Sequence, residues 1–258
     1  MNYFTAFLIV AGAGLAAAGA ALLVQKFVEA DWRREHHDVG ATVFLQLGVI
    51  FAVLLAFVFS ESWTEYNEAS AAIDLEVGAL HGAAMIAATL PPAQAKDILT
   101  KTKAYLDSVV QDEWPVMATQ RGEDLATDRK LQALIQAVAN LNADDSTARE
   151  KKTEILSLLT QAHAQREMRI FQADSGIPGV LWTVLIGFEL ILAAFVVLSG
   201  LRYRASAAMV AGIFTTAVTS ILVVARLLDY PFEGALALHA TDFVSVVSKV
   251  TRLITPIG

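Results

Sequence analysis

The sequence predicts an all-α polytopic membrane protein with four transmembrane helices and a helical extramembrane bundle. Three observations predict it. Of 258 residues, 55% are hydrophobic and 17% charged, and the mean hydropathy is +0.52; an ordinary soluble domain carries more charge than this. Four long stretches are almost free of charge. The segment between the second and third of them shows helical, not alternating, periodicity. Helices are the natural spanning element because lipid cannot satisfy free backbone groups.

The elements follow in chain order. Phe4–Val24 and Gly40–Phe59 carry no charge, Ile177–Leu201 carries only Glu189, and Ala205–Leu228 carries only Arg226 near its end. Each is long enough to cross a hydrocarbon core. The opening "MNYFTAF" has no Lys or Arg, unlike a signal-peptide n-region, so the first span is read as a membrane helix. The expected organisation is 1–59 as transmembrane helices 1 and 2, 60–176 as a helical extramembrane domain, 177–228 as transmembrane helices 3 and 4, and 229–258 as a C-terminal tail. Within 60–176, Ile98, Thr102, Tyr105, Leu106 and Val109 share one helical face, and Leu131, Leu134, Ile135, Val138 and Leu141 share another. Pro91-Pro92 and "WPVMATQRGED" read as breaks, Asp145 or Ser146 as a helix start, and "DSGIPG" as the link to the third span.

Charge and motifs exclude several classes. The net charge of −7 argues against nucleic acid as a partner. There is no cysteine, hence no disulfide framework and no thiol chemistry. No Gly-rich phosphate loop, G-x-S-x-G or H-E-x-x-H motif is present, so no enzyme is predicted. The partners read from sequence are the lipid bilayer and further copies of the chain.

Loop charge sets the expected orientation. Lys26, Arg33 and Arg34 lie between the first two spans, and Arg202 and Arg204 between the last two. The N-terminus carries no Lys or Arg, and none follows Phe59 until Lys96. Both short loops are therefore expected in the cytoplasm, with both termini and 60–176 outside. Arg166 and Arg169, ahead of the third span, run against this assignment.

The candidate functional residues lie on the second span and its continuation. Gly40–Leu90 has no proline, and its apolar part runs directly into an acidic part. If it is one helix turning about 100° per residue, Glu61, Glu65 and Glu68 fall within roughly 60° of arc and Glu76 close to their edge. Asp74 lies on the far side. The same stripe continues into the membrane as Phe57, Leu54, Ile50, Leu47 and Val43. Two readings are open. The stripe is a solvated face, or it lines an axis in an oligomer, with carboxylate rings that concentrate cations above an apolar constriction. No cofactor motif is present, but the stripe's hard oxygen ligands suit a divalent cation such as Ca²⁺ or Mg²⁺. The second reading is an oligomeric ion channel with an acidic vestibule that weakly favours cations. Its alternative is a non-conducting scaffold or sensor whose helical domain binds a partner.

Other residues carry weaker signals. Glu189 is an intramembrane ionisable group, hence a functional candidate, or a protonated acid bonded to a neighbouring hydroxyl, with Thr215, Thr216, Thr219 and Ser220 at about the right depth. Arg226 has Asp229 or Glu233 as partner, or snorkels to the interface. His36, His37 and Asp38 are a weak metal candidate because they lack i, i+4 spacing. Gly12, Ala16 and Ala20 form a small-residue stripe that seats the first span on its neighbours or joins protomers.

Several segments together resemble a known family. They are "HHDVGATVFLQLGVIFAVLLAFVFSESWTEYNEASAAIDLEVGAL", then "YLDSVVQDEWPVM", "GIPGVLWTVLIG" and "LLDYPFEGALAL". In this order they resemble the bestrophin-like domain family of bacterial membrane proteins. "DEWP" at Asp112–Pro115 and "DYPFEG" at Asp229–Gly234 are the most specific parts, with Glu76 and Tyr66 at positions where the family usually has a glutamate and an aromatic. The resemblance implies a multi-pass protein of the bacterial inner membrane. Leu47-Gly48 and Trp63…Tyr66 are also similar to the second span of true bestrophins, pentameric anion channels with cytosolic termini and a cytosolic large domain. That more remote resemblance implies a narrow neck at Leu45 and Val49, on the face opposite the glutamates.

Overall fold

The fold is described from a computed structural model covering residues 1–28, 37–199, 201 and 203–255. The chain divides into two compact units. The first holds Met1–Thr64 and Gly176–Asp229, the second Glu65–Ser175 and Tyr230–Gly258. Among the described residues there is no strand.

In the first unit, helix α1 spans Tyr3–Phe27 and α2 spans His37–Ala87, the latter extending into the second unit. Helix α7 spans Gly179–Val197 and α8 spans Arg204–Leu228. All four are long and apolar enough to cross a membrane. Asn2 caps α1 by accepting from the Thr5 backbone N–H at 2.8 Å. Helix α1 packs on α8, with Ala6, Gly14, Ala17 and Ala21 as its buried positions. Gly14 is needed for the close approach. A Cβ there would lie 2.1 Å from Thr216 Oγ1 and 3.3 Å from the Gly212 carbonyl oxygen. The expected stripe of Gly12, Ala16 and Ala20 is thus offset from the contact, and Gly12 has open space around it. Periodicity fixed the spacing of small residues but not which row meets the neighbouring backbone.

Helix α2 packs through Phe44, Phe51, Leu55 and Val58. Phe51 stacks on Phe188 of α7 at 6.2 Å, and Phe44 lies 5.7 Å from Phe214 of α8. Asp229, buried at the end of α8, ties that end to the start of α7. Its Oδ1 accepts from the Ile177 backbone N–H at 2.6 Å, and its Oδ2 accepts from Trp182 Nε1 at 3.3 Å and Arg226 Nη1 at 2.9 Å.

The second unit contains the rest of α2, then α3 (Pro92–Ser108), a single wide π turn (Val109–Glu113), α4 (Trp114–Gln120), α5 (Leu125–Ala139) and α6 (Ser146–Asp174). Asp124 and Asp145 cap α5 and α6 by accepting from Thr127 N at 2.8 Å and Ala148 N at 2.6 Å. Ile98, Tyr105, Leu106, Leu131, Leu134 and Val138 are fully or almost fully buried in one core.

One expectation is located here and one corrected. The break read within "WPVMATQRGED" does not fall at its opening Trp114-Pro115. Pro115 sits in the first turn of α4, where its missing N–H is no loss. A proline also clashes with the carbonyl four residues back, and the π turn, closed by Trp114 N–H to the Val109 carbonyl, absorbs this. The break comes at Arg121, whose φ of 56° ends α4. The segment 229–258 is likewise not a tail. Its helix α9 (Thr241–Ile254) buries Phe243, Val246 and Val250 in the core of the second unit. The reason is the i, i+3, i+7 apolar spacing.

Candidate functional site

Two features of the structure carry chemistry: a buried ion-pair network in the second unit, and the faces of α2.

The network is built from residues far apart in sequence. Arg169 and Arg166, three residues apart on α6, are both fully buried. Arg169 donates from Nε to Glu76 Oε2 at 2.8 Å and from Nη2 to Glu113 Oε2 at 2.8 Å. Tyr105 of α3 donates its hydroxyl to Glu76 Oε1 at 2.5 Å. Arg166 donates from Nη2 to Glu113 Oε1 at 2.5 Å and from Nη1 to Asp128 Oδ1 at 3.1 Å. Glu76 and Glu113 are themselves fully buried. The π turn matters here, because it sets Glu113 at its last position, facing both guanidiniums. The rings of Trp114 and Phe243 flank Arg169 at 5.5 and 5.4 Å.

Electrostatics follow from this geometry. Burial alone would lower the Arg169 guanidinium, but the Glu76 and Glu113 carboxylates more than reverse it, leaving its pKa above the ordinary value. Burial, and then the Glu76 carboxylate, push the Tyr105 phenol well above its ordinary value. Arg169 is thereby held as a cation and Tyr105 as a neutral donor, an arrangement that holds position.

Around it the family-specific segments converge. Trp114 of "DEWP" packs edge-on against Phe232 of "DYPFEG" at 5.5 Å and donates to the Leu238 carbonyl at 3.2 Å. Tyr66 donates to the Leu236 carbonyl at 3.0 Å. Glu233 accepts from Arg121 Nε at 2.6 Å, and Gly234 takes a φ of 82° that favours glycine.

The acidic stripe divides. Glu76 leaves it altogether, held in the core by Arg169 and Tyr105. Glu68 accepts from Gln172 Nε2 at 2.8 Å. Glu65 is half-buried and Glu61 exposed. Only the Glu76 end of the stripe thus faces the chain's own helices, where Arg169 and Tyr105 hold it. The apolar continuation also splits. Leu47 and Leu54 pack on the core of the first unit, whereas Ile50 and Phe57 are 56% and 71% exposed. Opposite the packed side, Leu45 and Val49 are 66% and 65% exposed, with Ala52 and Ala56 in the same phase. In the second unit, Asn67 and Asp74 of α2 are exposed.

In the membrane-type unit, Glu189 accepts a hydrogen bond from Thr219 Oγ1. Of the partners open to Arg226, the structure shows Asp229, while Glu233 is taken by Arg121. The group His36, His37 and Asp38 lies outside the described side chains, as do Arg33, Arg34 and Arg202 of the charge count. Sequence reasoning passed over Arg166, Arg169 and Glu113 as a unit. The available signal was two arginines on one face of an otherwise amphipathic helix.

The network has two testable consequences. Arg169→Met leaves the buried Glu76 carboxylate without its guanidinium, while Glu113 keeps Arg166, and is expected to destabilise by about 3–5 kcal/mol. Adding Glu76→Gln to it should recover a large part, read as thermal unfolding in detergent. The folded-state pKa of Tyr105 is raised, so its contribution is complete below the unfolded value of about 10 and is lost as pH rises above it. Stability of the parent should fall with a slope steeper by up to about 1.4 kcal/mol per pH unit than that of Tyr105→Phe in the alkaline range, measured by denaturant unfolding.

Comparison with known proteins places this arrangement. The fold matches three crystal structures of a bacterial bestrophin homologue from Klebsiella pneumoniae. One, with a point substitution, has a TM-score of 0.76 at 13% identity and covers 96% of this chain and 99% of the other. A second substituted form has a TM-score of 0.71 at 14% identity, covering 97% and 98%. A third, phased with zinc, has a TM-score of 0.67 at 14% identity, covering 97% and 98%. No curated protein sequence matches. The Bestrophin-like domain profile matches residues 11–243, so the chain belongs to the Bestrophin-like family.

Proposed function

We propose that the chain works as an ion channel, assembled from several copies around one axis with α2 facing the path. The observation that carries this reading is the charge-free exposed face of α2. Leu45, Val49, Ala52 and Ala56 are exposed, while Phe44, Phe51, Leu55 and Val58 are the side that packs. Small and medium apolar residues in one line suit a constriction that gates by dewetting. The large exposed Ile50 and Phe57 suit lipid. Assembly is supported by a different surface. In the extramembrane unit Leu75 and Met85 of α2 and Phe171 of α6 are 48%, 51% and 64% exposed. Exposed apolar groups of this size favour contact with a second copy.

Charge preference rests on Asp74, exposed on α2 about half a turn away from the buried Glu76. A ring of such carboxylates weakly favours cations. The resemblance of the second span to bestrophin anion channels supports the opposite sign. A divalent cation on the acidic stripe would have Glu61, which is exposed, as a carboxylate, since Glu68 accepts from Gln172 and Glu76 from Arg169.

Flux through the purified chain in liposomes tests the reading. Leu45→Ser/Val49→Ser is expected to raise ion flux at least about tenfold by wetting the constriction. Asp74→Asn is expected to lower the cation-to-anion permeability ratio, and Glu61→Gln/Glu65→Gln to change it less. Flux no greater than in protein-free liposomes for both parent and serine variant would overturn the channel and favour the scaffold or sensor alternative.

The membrane is proposed to be the bacterial inner membrane. Loop charge supports an extracytoplasmic helical unit and termini; kinship with bestrophins supports cytoplasmic ones. A reporter fused at Ala148, in the first turn of α6, decides between them. An extracytoplasmic signal is expected from the charge count, and a cytoplasmic one would reverse it.

A further inference from the structure

The membrane-type unit contains a cavity of about 780 Å³ between α1, α7 and α8. That lies within the roughly 300–1,000 Å³ of sites that take small ligands. Its α1 wall is built from Ala13, Ala16 and Ala20, small side chains that leave the space unfilled. Ile186 and Leu190 of α7 extend the apolar lining.

Three observations give the cavity a chemical preference. Glu189, in the middle of α7, lines it, and its hydrogen bond from Thr219 brings a dipole but no counter-charge. An ionised group at this depth is costly unless a charge pairs with it. Thr215 lies one turn from Thr219 on the same face of α8 and also lines the cavity. It is 6% exposed, and its Oγ1 has no hydrogen-bond partner among the described residues. A helical threonine ordinarily bonds back to a carbonyl of the preceding turn, so this hydroxyl is open to a donor. Arg226, the cation on the lining, is paired with Asp229 at 2.9 Å and so offers little to an anion. The group lacking a counter-charge is therefore an acid.

We propose that this cavity binds a hydrophobic amine, with its ammonium paired to Glu189 and donating to Thr215 Oγ1, and its alkyl body lying along the alanines of α1. An ammonium has three donors and no acceptor, which fits one carboxylate and one open hydroxyl oxygen. A fatty acid would set its carboxylate against Glu189. A plain alcohol would fill the space without supplying the charge.

Native mass spectrometry of the full chain in detergent tests this with three probes of equal length: dodecylamine, dodecanol and dodecanoate. Dodecylamine is expected to bind at least about tenfold more tightly than dodecanol, the scale of one charge-assisted contact. Glu189→Gln should remove that preference while leaving dodecanol binding unchanged, and Thr215→Val should weaken the amine alone, by about threefold. Equal binding of all three probes, preference for dodecanoate, or unchanged amine binding in Glu189→Gln would each overturn the proposal. If Glu189→Gln does not fold, Ala16→Phe, which fills the cavity from α1, replaces it. Loss of the amine adduct supports the site and its persistence overturns it. The readout is binding, so the result does not depend on whether the chain conducts ions.

Discussion

Arg169 is buried with its Nε and Nη2 donors on the carboxylates of Glu76 and Glu113, and the second unit is arranged to make that tolerable. Removing a guanidinium from water costs several kcal/mol, recovered only when the partners are charged and well aligned. The partners come from α2, from the π turn and, through the Tyr105 hydroxyl, from α3. Many apolar packings of these helices would bury similar area. Few would also bring two carboxylates and a phenol to one guanidinium. The network therefore acts on specificity of arrangement more than on net stability.

One consequence falls on α2. A helix has one phase along its whole length, and Glu76 uses that phase to face the core. The positions about half a turn away, Asn67 and Asp74, are then outward. The residue that looks like the end of an acidic stripe is thus the one buried in the core. Asp74 lies on the other side of α2 and is exposed.

Local chemistry was readable from sequence, and long-range pairing was not. The four apolar spans, the Asp145 cap, and the faces carrying Tyr105 and Leu134 follow from hydropathy, caps and a period of 3.6 residues. Glu76 and Arg169 are 93 positions apart, and no periodic signal links them. Spacing alone assigns Glu61, Glu65, Glu68 and Glu76 to one side of a helix. It cannot say whether that side meets water, an axis or an arginine. The same blindness displaced the α1 contact from Gly12 to Gly14 and treated Phe243, Val246 and Val250 as a tail. In each case the pattern was visible, but the surface it packs against was not. The resemblance to the bestrophin-like family went further, because "DEWP" and "DYPFEG" are parts of one contact between Trp114 and Phe232.

The membrane-type unit handles its acids in two different ways. Asp229 is buried beside a cation, Arg226, and also accepts from the Ile177 N–H and the Trp182 indole, so both of its oxygens are engaged where α7 begins and α8 ends. That is a structural joint, and it resembles the Arg169 network in satisfying charge with charge. Glu189 has a hydroxyl in place of a cation, and it sits beside open volume in place of close packing. A carboxyl kept for packing alone would be better replaced by an apolar residue of similar size, which would fill the space without the desolvation cost. Its presence next to the unpartnered Thr215 hydroxyl is accounted for by a ligand that brings a positive charge and an alkyl body together.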